Sequence, residues 1–396
     1  MRRPSLLLLL LLLQDACIDR FDFTPTESTN QWVIDGYITD APGPYTIKIS
    51  KTRKLVDFSP PSAVSVKSVT LFDSDGNNEA LIEKNPGVYQ TSDTGLRGTI
   101  GKSYFIRIET FDGKIFESIP EKIEPAGSVD SIYYEFEKQT SEDNLTSYSF
   151  RIKMDSRGDS NTENFFLWKL TGIYRVITSP ELHIYFEKTA GGTIIIKDPR
   201  PCSGTILNKQ TNALSQIRPC ECCECWANLV DVTPKVSNNQ INTNNTFKGI
   251  EVGSIPVEFW PFWDKTQVKV EQLSLSKNAF TFWKTIQDQQ EGATSLFQPA
   301  TGKIVSNIIH KNGNEQVQGI FFASSVATKS IFLTVKDIPQ GRSVVPQPPG
   351  LPPRYIPRPG DPPDYIAEYY TEPFVVRESC LLAFKYSTTL KPADWK

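Results

Sequence analysis

The sequence is poor in the residues that most enzymes use for acid–base chemistry. It has 2 histidines in 396 residues, His183 and His310, and neither sits in a catalytic motif. There is no Gly-x-x-x-x-Gly-Lys-Ser/Thr phosphate loop, since Gly101-Lys102-Ser103 has Leu96 where the first glycine would stand, no His-Glu-x-x-His and no Gly-x-Ser-x-Gly. Phosphate-loop hydrolases, zincins and nucleophile-elbow hydrolases are thereby left without their machinery. A carboxylate pair for glycoside hydrolysis has no local signature, and nothing in the sequence points to one. The chain is read as non-enzymatic, with no cofactor and no metal. Positive charge is not in excess either: 42 Lys and Arg stand against 45 Asp and Glu, a net charge of −3. That balance gives no basic footprint, so nucleic acid is not an expected partner. Beyond the first residues, no apolar run approaches a membrane span.

The apolar run that does exist opens the chain. Arg2 and Arg3 form a positive start, Leu6 to Leu13 is an unbroken apolar core, and Ala16 precedes Cys17. The core is too short to span a bilayer and matches a signal peptide in length. A cysteine just after such a core is what lipoprotein processing needs, although Gln14 and Asp15 stand where small or aliphatic residues are usual. The expectation is a signal peptide over 1–16 and lipidation of Cys17. Each buried acyl methylene is worth roughly 0.8 kcal/mol, so a multiply acylated terminus would hold the protein on a membrane through its lipid alone. Residues 17–30 read as a tether. Its acidic residues Asp19 and Asp22 fit either an outward export signal or a solvated linker.

From Gln31 the pattern has period two. Trp32, Ile34 and Tyr37 lead into Ala41-Pro42-Gly43-Pro44, and Tyr45, Ile47 and Ile49 follow. Further alternating runs at Val64–Leu71 and Ser103–Ile108, with turn signals Asp75-Gly76 and Asp112-Gly113, complete an antiparallel pattern. Residues 31–125 are expected to form an immunoglobulin- or transthyretin-like β-sandwich. Residues 126–396 are expected to form a larger C-terminal β domain. Within it lie a Cys-rich loop over 202–226, one helix over 276–291 and a Pro-rich arm over 344–365. Ser276 is a good N-cap for that helix, and Ala279, Phe280, Trp283 and Ile286 share one face. The fold class is therefore mostly β: two antiparallel β-sandwich-like domains, the second with one helix packed on its sheet.

Three constellations could carry function. Cys220-Glu221-Cys222-Cys223-Glu224-Cys225, with Cys202 and Cys380, makes six cysteines besides Cys17. An exported chain with an even count points to disulfides, while four clustered thiolates could also take a soft metal or exchange disulfides. Fifteen pairings are open. Phe259-Trp260-Pro261-Phe262-Trp263 reads as core or as an exposed platform in which Trp260 and Trp263 would stack on sugar rings or a protein. The Pro-rich arm, with Arg354, Tyr355 and Arg358, reads as polyproline II, either a spacer or a docking strip.

Four stretches resemble a known family: Val33 to Tyr45 (Val-Ile-Asp-Gly-Tyr-Ile-Thr-Asp-Ala-Pro-Gly-Pro-Tyr); Phe165 to Trp168 ahead of Gly172-Ile173-Tyr174; Leu273 to Ser276 through Phe282-Trp283; and Cys380 followed by Thr388 to Trp395. They are similar to the Bacteroidota outer-membrane lipoprotein family of domain of unknown function 4249. That resemblance implies two β domains behind a lipid anchor, facing the cell exterior. It also implies a partner, a TonB-dependent outer-membrane transporter, for which members would act as accessories in substrate capture or complex assembly. The alternative is a free-standing surface adhesin or glycan-binding lipoprotein. No catalytic residues follow from the family.

Overall fold

The computed structural model of the chain describes residues 30–53, 61–141, 143, 145–160, 163–189, 192–230, 233–238, 245–292, 304–346 and 376–395. The leader with Cys17, the tether up to Ser28 and Thr29, and residues 347–375 with Arg354, Tyr355 and Arg358 lie outside the described residues.

The chain is mostly β and forms two sandwich-like domains, with one long helix packed on the second. In the first, Trp32–Thr39 pairs antiparallel with Thr46–Lys51. The connection holds a cis Gly43–Pro44 bond, and the Tyr45 hydroxyl closes it by donating to Thr39 O at 2.7 Å. Ser68–Asp73 and Ser103–Glu109 pair in the facing sheet. Because side chains alternate faces along a strand, every second residue points inward. Ile34, Ile47 and Ile49 thus meet Val69, Leu71, Tyr104, Ile106 and Ile108 in one core.

Residues 308–324 depart from the sequence reading, which gave everything after 125 to the second domain. Ile308–His310 pairs with Ile115–Ser118, while Val317–Gln318 and Phe321–Ser324 run parallel to Trp32–Thr39. Ile308, Val317, Phe321 and Ala323 belong to the first core. All four residues of Phe321–Ser324 are buried. Phe321 faces the first core and Phe322 the next one, which is the apolar run of a strand covered on both faces. A strand of this kind has no alternation to reveal its partner, and the partner here lies far upstream.

The second domain is built on a central strand, Phe165–Ile177. Lys265–Ser274 pairs along one edge and Glu224–Val230 along the C-terminal half of the other. A three-stranded sheet of Ser128–Thr140, Thr146–Arg157 and Thr246–Pro256 packs against it. Phe150, Ile152, Met154 and Phe247 from that sheet meet Trp168, Leu170, Val268 and Val270. The helix spans Lys277–Gly292. Ser276 Oγ accepts from Ala279 N at 3.1 Å, the N-cap bond expected of it. Its apolar face, with Ala279, Phe282 and part-buried Phe280, Trp283 and Ile286, covers Phe165, Leu167, Leu273 and Phe322.

The two domains are stitched where the chain passes from Phe321–Ser324 to Val326–Thr334. Ser325 Oγ and Val326 N both donate to the Asp40 carboxylate, at 2.7 and 2.9 Å. Ser274 Oγ donates to Glu124 O at 2.5 Å, and Lys169 Nζ lies 3.9 Å from the Tyr37 ring centroid.

Candidate functional site

The central strand has two ends with different fates. At Phe165 it runs into the helix-covered core that includes part-buried Tyr37 of the first domain. At Ile177 it opens into the Cys-rich segment. Thirteen strand residues at ~3.4 Å each put these ends about 40 Å apart. The Cys-rich segment therefore lies at the end of the second domain that points away from the first.

There the chain leaves the sheet in two short hairpins, Ile184–Thr189 with Gly192–Lys197 and Thr205–Asn208 with Ala213–Gln216. Three disulfides staple the segment: Cys202–Cys222, Cys220–Cys223 and Cys225–Cys380. Of the readings open for the cluster, the structure holds the disulfide one. The last bond ties down a C-terminal strap. Along it, Ser179 N donates to Val376 O at 2.8 Å, and Arg200 Nε reaches the Glu378 carboxylate at 2.9 and 3.1 Å. Arg200 and its hydrogen bonds hold the Glu378 carboxyl below its ordinary value. His183 completes this polar patch, with Nδ1 3.5 Å from Asp198 Oδ2 and Nε2 3.9 Å from Glu378 Oε2. Ser387–Thr388 then pairs with Trp226–Ala227. Finally Trp395 packs on Trp226 and Phe332, and Asp394 accepts from Gln267 Nε2 at 2.6 Å.

This end carries exposed apolar side chains. Leu382 is 74 % exposed and Tyr386 76 %, and Ile177, Tyr185, Ile206 and Ile217 are exposed as well. Exposed apolar side chains mark a binding surface where they form one contiguous patch. The two hairpins were not read from the sequence, although Gly191-Gly192 between two β-branched runs is a recognised hairpin signal.

The aromatic stretch Phe259–Trp263 is not a strand. Phe262 N bonds back to Glu258 O and Trp263 N to Trp260 O, so the run coils as a turn. Phe259 and Phe262 thereby point inward, and Phe262 stacks on Phe150. Trp260 is part-buried and its ring meets Phe384 of the strap edge-on at 5.3 Å. Trp263 is 48 % exposed, with Phe259 at 5.2 Å and the Arg342 guanidinium at 5.5 Å from its ring. The two tryptophans thus do not share one open face.

A family model for a domain of unknown function, DUF4249, matches residues 18–330. The chain belongs to the DUF4249 family. No curated protein matches it. The family stretches in this DUF4249 protein prove to be scaffold. Val33–Tyr45 supplies an inner strand, paired on one side with Thr46–Lys51 and on the other with Val317–Gln318 and Phe321–Ser324, together with its cis-proline turn and the Asp40 clamp. Phe165–Tyr174 is the central strand, and Leu273–Trp283 is the strand-to-helix passage. The stretch Cys380–Trp395, outside the matched residues, is the strap. No helix among the described residues is long and apolar enough to cross a membrane, which says nothing of strands.

Proposed function

We propose that this DUF4249 protein is a non-enzymatic lipoprotein of a Bacteroidota outer membrane, anchored through Cys17 and facing the cell exterior. In this reading it is an accessory of a TonB-dependent transporter and takes part in substrate capture or complex assembly. The observation that carries the reading is the disulfide-stapled apolar end, which lies farthest from the domain that follows the tether. A membrane anchor at one end and exposed apolar side chains at a disulfide-stapled other end suit a protein that reaches a partner on the same membrane. Family membership supports the same reading, since the resemblance implies a transporter partner.

The test is affinity purification of a tagged copy, at native expression, from outer membrane solubilised in mild detergent, with partners identified by mass spectrometry. A stoichiometric TonB-dependent barrel is expected. Recovery of the lipoprotein alone would overturn the accessory role and favour a free-standing adhesin or glycan-binding protein.

A further inference from the structure

The three disulfides differ in ways that bear on chemistry. Cys225 and Cys380 are fully buried, and Cys222 is buried with its partner Cys202 half-covered. Cys220–Cys223 is the pair among the described residues in which neither cysteine is buried. It also closes the shortest loop, with a sequence separation of 3 against 20 and 155 for the others. Short loops restrict the unfolded chain least, so opening this bond costs the fold least. The segment would stay in place without it. Thr178 N donates to Cys223 O at 2.8 Å, Glu221 N to Cys202 O at 2.9 Å, and Cys380 N to Cys222 O at 3.1 Å. Access, low structural cost and an independently held backbone are what separate an exchangeable disulfide from a structural one.

We propose that Cys220–Cys223 is a thiol–disulfide exchange site whose co-reactant is an accessible thiol. Glu181 Oε2 lies 4.0 Å from Cys223 Sγ, and its carboxylate opposes negative charge at that sulfur. Attack of a thiolate on Cys220 Sγ forms a mixed disulfide there as the Cys220–Cys223 bond breaks. The electron pair goes to Cys223, which takes a proton from solvent and is held as a thiol beside the carboxylate. A second thiol then releases Cys220, leaving two protein thiols and one disulfide of the co-reactant. The protein disulfide is the oxidant and the two external thiols are the reductant, so electrons balance. Because the leaving sulfur faces a carboxylate, Glu181 is a positioning residue that restrains the exchange.

The test uses the natively folded, oxidised full chain. One arm titrates free cysteine and another a reduced protein dithiol, each quenched with an alkylating reagent and mapped by mass spectrometry. Labelling confined to Cys220 and Cys223 at thiol levels that leave the other four cysteines oxidised is expected. If both arms open the pair equally, the co-reactant is a small thiol; if the dithiol is much faster, it is a protein. First labelling at Cys202 and Cys222 or at Cys225 and Cys380, labelling of all six together, or no opening in either arm would overturn the proposal. Glu181→Gln is expected to speed opening severalfold, while Glu181→Asp, which keeps the charge, stays near the parent rate. An unchanged rate in Glu181→Gln would remove Glu181 from the scheme.

Discussion

The bond between Cys225 and Cys380 should hold more of the second domain's stability than either of the other disulfides. It closes a loop of 155 residues, and both cysteines are fully buried. The chain-entropy relation for cross-links gives about 5 kcal/mol for a loop of that length, about 3 kcal/mol for Cys202–Cys222 and about 1.5 kcal/mol for Cys220–Cys223. Replacing the pair by Cys225→Ala/Cys380→Ala also empties buried space, worth roughly another 1 kcal/mol. Thermal and urea unfolding of the oxidised chain, followed by circular dichroism, should show a loss near these values and a midpoint lower by on the order of 10–15 °C. Hydrogen exchange should rise along Ser387–Trp395, because the strap is held there by a two-residue strand pairing and the Trp226–Trp395 contact. A variant within about 1 kcal/mol of the parent, or a larger loss from Cys220→Ala/Cys223→Ala, would refute the reasoning.

Three further outcomes are expected. Asp40→Ala leaves Ser325 Oγ and Val326 N without their acceptor at the crossover between domains, and should cost about 1–3 kcal/mol in denaturant unfolding. Burial raises the Glu121 carboxyl above its ordinary value, against the opposing hydrogen bonds of Ser276 and Asn307. Between the ordinary and the raised value the folded state holds a proton that the unfolded chain has released, so stability falls as pH rises through that window. Glu121→Gln should reduce that slope when unfolding is measured across mildly acidic to neutral pH, the likewise raised Asp35 carboxyl leaving a remainder of the same sign; an unchanged slope would show that Glu121 is not a source of it. Burial, with a smaller contribution from Glu258, pushes the Tyr174 phenol up to about 12, so ultraviolet titration should lose its most alkaline tyrosine step in Tyr174→Phe and no other.

How much of this was legible in the sequence depended on whether a pattern was local. Strands with one wet face announced themselves by alternation, as Ile47 and Ile49 did, and Ser276 marked the helix start by its side-chain chemistry. Phe321–Ser324 did not, because both of its faces are covered and its parallel partner is remote. Cysteine spacing narrowed the choice no further than fifteen pairings, since what selects Cys225 for Cys380 is the pairing of Ser387–Thr388 with Trp226–Ala227. Trp260 and Trp263 read alike in sequence, yet the helical turn through Pro261 packs one against Phe384 and leaves the other half-exposed. The hairpins on either side of Cys202 went unread for a different reason: Tyr185, Ile194 and Ile206 face solvent and Ile184, Ile195, Ile196, Leu207 and Leu214 are part-buried, so the runs resemble core strands without being core.

The most direct test of the central claim is site-specific photo-crosslinking in intact outer membrane. A crosslinker would replace Leu382 or Tyr386 at the disulfide-stapled end, and Phe111, 75 % exposed on a turn of the first domain, would serve as the comparison. Adducts to a TonB-dependent barrel from Leu382 and Tyr386, with few or none from Phe111, are the expected result. Barrel adducts from Phe111 alone, or none from any of the three positions, would contradict it.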